Sequence, residues 1–162
     1  MSHVGDSRAV LCKNKSAMQM TRDHTPNIVD EQLRIESLGG NVTWSGDFDE
    51  DGAIVLGTGT WRVNGVLGVS RAIGDRSEQP YIVSEPEVSL RSVEENRDKF
   101  IILATDGLWG VIENQSAVDY VLTLQDEGYE PGRIASLLVK EALREAKEKS
   151  IHDNVTVIII WL

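Results

Sequence analysis

Five consecutive apolar residues, Phe100-Ile101-Ile102-Leu103-Ala104, run without a polar interruption into Thr105-Asp106-Gly107. A half-exposed strand alternates apolar and polar side chains, and an amphipathic helix repeats every three or four residues. A short unbroken run that stops at a Gly turn instead predicts a strand buried on both faces. A second run, Val155-Thr156-Val157-Ile158-Ile159-Ile160, is rich in β-branched side chains and predicts another strand near the C-terminus. Such strands need a substantial core around them. With 162 residues, 41% of them hydrophobic and 26% charged, the chain can supply one core, and residues 1–162 are expected to form a single domain.

The other elements follow from local signals. Residues 8–12 and 17–20, joined by Lys13-Asn14-Lys15-Ser16, predict a short hairpin. Thr25-Pro26 predicts a helix start, with Thr as N-cap and Pro at the first helical position. Ile28, Val29, Leu33, Ile35 and Leu38 are the expected apolar side of that helix, and Gly39-Gly40 its stop. Residues 41–75 mix strand-like pieces with Gly-rich turns. Residues 114–124 predict a helix with Ala117, Val118, Val121 and Leu122 inward, and residues 131–149 another with Ile134, Leu137, Leu138 and Ala142 inward. Strands and helices in separate blocks indicate an α+β layered fold rather than a doubly wound one.

Charge narrows the class of partner. The formal net charge is -10, and Lys and Arg are scattered rather than gathered in a stripe. That distribution disfavours nucleic acid and anionic membrane surfaces. The longest apolar stretch, residues 155–162, is far too short to cross a bilayer. The single Cys12 allows no internal disulfide and has no charged neighbour to activate it, so it is expected to be a small buried side chain. A soluble intracellular protein, cytoplasmic and/or nuclear, is the expectation.

Chemistry is concentrated in aspartates. Asp106 ends one predicted strand, and Asp153, in His152-Asp153-Asn154, stands just before another. If those strands are antiparallel neighbours, both carboxylates reach one sheet edge and offer hard oxygen ligands suited to Mg²⁺ or Mn²⁺. Asp6, in Gly5-Asp6-Ser7-Arg8, is a third candidate; taken alone it reads as a turn residue paired with Arg8. Likewise Asp106-Gly107 alone would pass for an ordinary turn. Asp47-Phe48-Asp49-Glu50-Asp51-Gly52 imitates the start of a calcium loop, but position 12 is Thr58 rather than Glu, so it is expected to be a solvated acidic loop.

Five segments occur here in the order found in type 2C protein phosphatases. They are Val4-Gly5-Asp6-Ser7-Arg8-Ala9, Arg22-Asp23-His24-Thr25-Pro26, the stretch from Arg62-Val63-Asn64-Gly65 through Ser70-Arg71-Ala72-Ile73-Gly74-Asp75, Ala104-Thr105-Asp106-Gly107-Leu108-Trp109, and Asp153-Asn154-Val155-Thr156-Val157. The chain therefore resembles the C-terminal portion of that family's catalytic domain. The resemblance implies a four-layer αββα fold, in which a β-sandwich of two antiparallel sheets is flanked by helices. Its implied chemistry is hydrolysis of phosphoserine and phosphothreonine in proteins by water activated at a binuclear Mg²⁺/Mn²⁺ centre. Asp106 and Asp153 match metal ligands of the family, and Asp6 matches a carboxylate near an additional, weaker metal position. Residues 62–75 resemble the segment that carries a flap beside the site.

Departures from the pattern matter equally. The family's N-terminal motifs, an acidic pair following an arginine and an Asp-Gly-His-Gly turn, do not occur in these residues. Gly110 stands where many relatives carry an aspartate, and none of His3, His24 and His152 matches the family's catalytic histidine, so no catalytic side chain is assigned. The N-terminal part of the domain is expected to be missing, leaving the 162-residue chain with an incomplete site and with sheet edges that an oligomer or a partner would cover. A phosphoprotein is the expected substrate. The alternative is a non-catalytic phosphatase-like module that binds a phosphoprotein or a regulator.

Overall fold

Strand β7 (Asp98–Ala104) lies at the centre of an antiparallel sheet of order β3-β2-β7-β8. Its neighbours are β2 (Arg8–Lys13) and β8 (Val157–Trp161), and β3 (Ser16–Gln19) pairs outside β2. The computed structural model describes all 162 residues and divides into two compact units. This sheet belongs to the unit made of residues 7–22 and 90–162; residues 1–6 and 23–89 form the other.

In the sheet unit the hairpin forms where residue types predict it, through a tighter turn. Asn14 and Lys15 both have positive φ, 50° and 68°, so a two-residue turn of the kind that matches strand twist joins β2 to β3. Register places Val10 opposite Ile102 and Ile102 opposite Ile159, which sets Val10, Cys12, Phe100, Ile102 and Ala104 on one face. Two helices cover that face, α3 (Asn114–Asp126) and α4 (Pro131–Glu148). Ala117, Val118 and Val121 from α3 and Ile134, Leu138 and Ala142 from α4 are fully buried there. Each large aliphatic side chain so buried contributes about 2 kcal/mol. Leu122 and Leu137 are only half-buried, and Leu124 and Ala146 complete the inner stripe instead. Cys12 is buried, and burial raises its thiol pKa, which suits a core side chain rather than a nucleophile.

The expectation that residues 100–104 would be buried on both faces needs correction. Ile101 and Leu103 are half-buried and Lys99 is exposed, because within this unit α3 and α4 pack against one face only.

The other unit holds two small antiparallel ladders, β1 (Ser2–His3) with β6 (Glu87–Val88), and β4 (Val42–Ser45) with β5 (Thr60–Val63). Its helix α1 spans Val29–Ser37, starting later than Thr25-Pro26 suggests. Residues 25–28 form a turn instead, closed by Ile28 N–H donating to Thr25 C=O at 3.2 Å. The buried side also differs from expectation. Val29, Leu33 and Leu38 are exposed, whereas Ile35 and Glu31 are buried. Gly39, at φ +87°, and Gly40 end the helix, and a Cβ on Gly40 would lie 2.6 Å from the Tyr81 ring. In the loop at 47–52, Asp49 Oδ1 accepts the N–H groups of Asp51 and Ala53, a solvated turn as expected.

Glu31 explains how α1 is rotated. Its carboxylate accepts Arg34 Nη2 at 2.9 Å and Arg71 Nε at 3.0 Å, with a second bond from Arg71 Nη2. Arg34 also donates to the carbonyls of Ser70 and Tyr81, and Arg71 to that of Glu85. One buried carboxylate thus organises two arginines that hold three loop carbonyls. Burial alone would raise the Glu31 pKa, but the hydrogen bonds outweigh it and pull the group down to about 2. The buried Ser70 hydroxyl makes no hydrogen bond of acceptable geometry, so the arginines account for the depression.

A group depressed on folding stabilises above its unfolded pKa, and that stability is lost as pH falls through the folded value. Glu31 should therefore contribute up to about 3 kcal/mol at neutral pH. This contribution should fall away between its ordinary value of 4.5 and about 2. Urea denaturation across that range should show the loss, and Glu31→Gln should flatten it. Glu31→Ala should cost about 3 kcal/mol or more at pH 7, since it strands two half-buried arginines.

Candidate functional site

Asp106 opens α2 (Asp106–Trp109), a single helical turn directly after β7. Thr105 ties this point to the approach of β8. Its N–H donates to Thr156 C=O at 3.2 Å, its hydroxyl donates to Asn154 C=O at 3.2 Å, and the same hydroxyl accepts Thr156 N–H at 3.1 Å. Behind the turn, the buried Trp109 indole N–H is shared between Ala104 C=O at 3.1 Å and Arg8 C=O at 3.2 Å. Arg8 lies over the Trp109 ring, 5.5 Å from its centroid, and donates to Asn114 Oδ1 at 2.7 Å.

Gly107 brings the two aspartate-bearing turns together. A Cβ on this residue would stand 2.4 Å from Asn154 C=O, so only glycine permits the approach. Asp106-Gly107 therefore lies directly against Asp153-Asn154. Both aspartates are solvent-exposed, and Asp153 Oδ1 accepts Asn154 N–H at 2.7 Å. The strands behind them are antiparallel neighbours, with Ala104 opposite Val157. The expected placement of Asp106 and Asp153 at one sheet edge is what this register produces.

Asp6 belongs to the other unit, after Gly5 at φ +103°. That turn is held by His24 in two ways: Gly5 N–H donates to His24 Nδ1 at 3.1 Å, and His24 N–H donates to Gly5 C=O at 3.0 Å. His24 is fully buried.

His24 also raises the question of a second metal site, because ligand atoms of His3, His24 and Glu87 lie within 4.8 Å of one another. Tautomer chemistry argues against it. Since Nδ1 accepts the Gly5 amide proton, a neutral imidazole must carry its own proton on Nε2, the atom facing Glu87 Oε1 at 3.6 Å. The His3 and His24 rings are also stacked, 4.4 Å apart and 5° from parallel, so their in-plane lone pairs do not converge. Burial lowers the His24 pKa, aided by the charges of Arg71 and His3, and keeps the ring neutral.

The exposed carboxylates of Asp106 and Asp153 offer oxygen donors, the kind that Mg²⁺ and Mn²⁺ prefer. Gly110, at φ -76°, has ordinary helical backbone, so conformation does not demand a glycine there.

The sequence model of Protein phosphatase 2C matches residues 1–151. The chain belongs to the protein phosphatase 2C family. It is 39% identical over 160 residues to probable protein phosphatase 2C 59 of Arabidopsis thaliana, covering 99% of this chain and 44% of that protein. It is 38% identical to probable protein phosphatase 2C 45 of Oryza sativa subsp. japonica, covering 99% of this chain and 49% of that one. Among solved structures it matches serine-threonine phosphatase 2C from Toxoplasma gondii at 26% identity and a TM-score of 0.78, over 99% of this chain and 53% of that chain. A C. elegans sex determining protein matches at 29% identity and a TM-score of 0.77, with 36% of that chain covered. This chain thus spans less than half the length of both plant relatives, and its α+β fold of antiparallel sheets and helices is that of the family.

Sequence reasoning picked out the aspartates of the family pattern but missed the parts that position them. Thr105 and Gly107 were visible only as members of a motif; their roles depend on where Asn154 sits. Gly107→Ala should push the 153–154 turn away and cost about 1–3 kcal/mol. The amides of Thr105 and Thr156 should then exchange faster with solvent deuterium than in the parent protein, while those of α3 and α4 stay protected.

Proposed function

We propose that Asp106 and Asp153 supply part of the metal-binding edge of a metal-dependent protein serine/threonine phosphatase. The observation that supports this is the close approach of Gly107 to Asn154, which brings the two aspartate-bearing turns together at the end of paired strands. Asp6 contributes to an additional, weaker metal position. Bound Mg²⁺ or Mn²⁺ would lower the pKa of a coordinated water and neutralise phosphoryl oxygens, a need made acute by the net charge of -10.

The protein's own part is positioning. Thr105 locks the base of the Asp106 turn, and Trp109 braces it from behind. Residues 62–75 are the candidate substrate-contact segment, with Arg62 half-buried beside the turn at 63–66 that its guanidinium caps through Val66 C=O. Arg71, in the same segment, is held by Glu31 and so is not available to a phosphate. The substrate is a phosphoserine or phosphothreonine protein. No helix is long and apolar enough to cross a membrane, and an intracellular setting is part of the same proposal.

Two carboxylates are few for two divalent ions, and the 162 residues contain no Asp-Gly-His-Gly turn. On its own, the chain should show little Mn²⁺-dependent hydrolysis of an aryl phosphate or a phosphothreonine peptide. Fused behind the N-terminal half of the Arabidopsis relative's domain, it should hydrolyse both, and a chelator should abolish the activity. In that fusion Asp106→Asn and Asp153→Asn should each lower kcat about a hundredfold or more, since even partners outside the ligand shell cost 10–100-fold. Unchanged turnover in either variant would remove that residue from the metal edge. A folded but inactive fusion that still binds a phosphoprotein would favour the non-catalytic module, the reading suggested by Gly110 and the absent motifs.

A further inference from the structure

Helix α2 is a single turn, Asp106–Trp109, and a helix that short closes too few backbone hydrogen bonds to hold its own shape. Thr105 fixes its first end through the bonds to Asn154 and Thr156. Its last residue, Trp109, is fixed by groups from β2, β7, β3 and α3. All of them belong to the unit made of residues 7–22 and 90–162.

Arg8 and Ala104 are the end pair of the β2–β7 ladder, and both of their carbonyls accept the one indole N–H of Trp109. The indole thus caps the ladder where the two strands stop. Trp109 is buried, and the Arg8 guanidinium lies 5.5 Å from its ring centroid, an attractive cation–π placement. The guanidinium is itself held in place. Arg8 Nη1 donates to Asn114 Oδ1 at 2.7 Å, and Asn114 Nδ2 donates to Gln19 Oε1 at 3.0 Å. Asn114 is the first residue of α3 and Gln19 the last of β3, so a chain of side chains ties two other elements to the end of α2.

We propose that Arg8 clamps α2 through Trp109 and is thereby a positioning residue for Asp106. The proposal rests on the reading of Asp106 as a metal ligand. The backbone carries the effect from one end of the turn to the other: Gly110 N–H donates to Asp106 C=O at 2.7 Å, and Leu108 N–H to Thr105 C=O at 3.0 Å. With Trp109 released, these bonds would be left to order the turn by themselves. The Asp106 carboxylate would then sample more orientations, and an ion binding there would have to reorder it.

The residue type follows from the two tasks. A planar guanidinium can lie on a ring face and still direct an N–H at Asn114, whereas a lysine ammonium is a compact point charge on a flexible stem. Arg8 is half-buried, where such a contact is less weakened by water than at an open surface. A residue that served only global stability would act on the whole sheet unit. This clamp bears on one helical turn.

Hydrogen exchange followed by NMR on the 162-residue chain separates the two roles. Arg8→Gln should speed exchange of the Trp109 indole N–H and the Gly110 amide about fivefold or more, while the amides of α3 and α4 keep the parent's rates. Mn²⁺ titrated into the same samples should broaden the Gly107 and Asn154 amides. The Mn²⁺ concentration giving half that effect should rise about tenfold in Arg8→Gln, the lower end of the loss for groups outside a ligand shell. Arg8→Lys should resemble Arg8→Gln in both readouts. If Arg8→Gln does not fold, Asn114→Ala replaces it: removing the acceptor of the guanidinium should shift both readouts in the same direction by less. Unchanged indole exchange in a folded variant would overturn the proposal, as would loss of protection throughout the sheet unit or a Mn²⁺ midpoint equal to the parent's. A lysine variant indistinguishable from the parent would also overturn it, since charge alone would then suffice. A parent chain in which Mn²⁺ broadens neither amide would instead remove the metal reading of Asp106, and indole exchange would still decide whether Arg8 holds α2.

Discussion

Strand β7 is hydrogen-bonded along both sides, to β2 and to β8, and most of the sheet unit depends on that double pairing. A strand so placed cannot slip by one residue without moving Phe100, Ile102 and Ala104 out of the core and Ile101 and Leu103 into it. Register is therefore held by burial, and the end of the strand is fixed with it. Asp106 emerges at that end, and Thr105 stitches it to Asn154 and Thr156 within three hydrogen bonds. The position of the Asp106 turn is a by-product of core packing along β7.

Charge does different work in different places. Glu31, 2% exposed at the side chain, is surrounded by Arg34 and Arg71 and determines which side of α1 faces inward. On α4, Arg144 touches Glu141, Glu145 and Glu148, but all are at or near the surface, where side-chain entropy and solvent screening leave such pairs worth little. Counting ion pairs would rank the α4 cluster higher; burial reverses the order. The same criterion separates the two possible metal positions. The His3, His24 and Glu87 group is close-packed but has its Nδ1 lone pair already used, whereas the exposed oxygens of Asp106 and Asp153 suit a hydrated divalent ion.

The half-covered sheet face has a simple origin. Helices α3 and α4 occupy one side of the sheet, and Gln115 of α3 reaches around only the β3 edge. On the other face Ile158 and Ile160 of β8 are exposed.

Much of this was legible in the sequence. The apolar runs predicted β7 and β8, turn residues predicted the hairpin, and helical spacing predicted α3 and α4, because these signals are local. The adjacency of the turns that carry Asp106 and Asp153 was legible too, since it needs only that two neighbouring strands be antiparallel. The orientation of α1 was not. Val29 and Leu33 repeat with helical spacing and look like a buried stripe, but the side that faces inward is chosen by Arg71, forty residues from Glu31 in the chain. The sequence by itself determined the family, the strand and helix types and the carboxylates available at the sheet edge. Only the tertiary structure decided that Gly107 must lie against Asn154 and that His24 spends its Nδ1 on Gly5. Those outcomes depend on contacts between distant segments, which local periodicity does not encode.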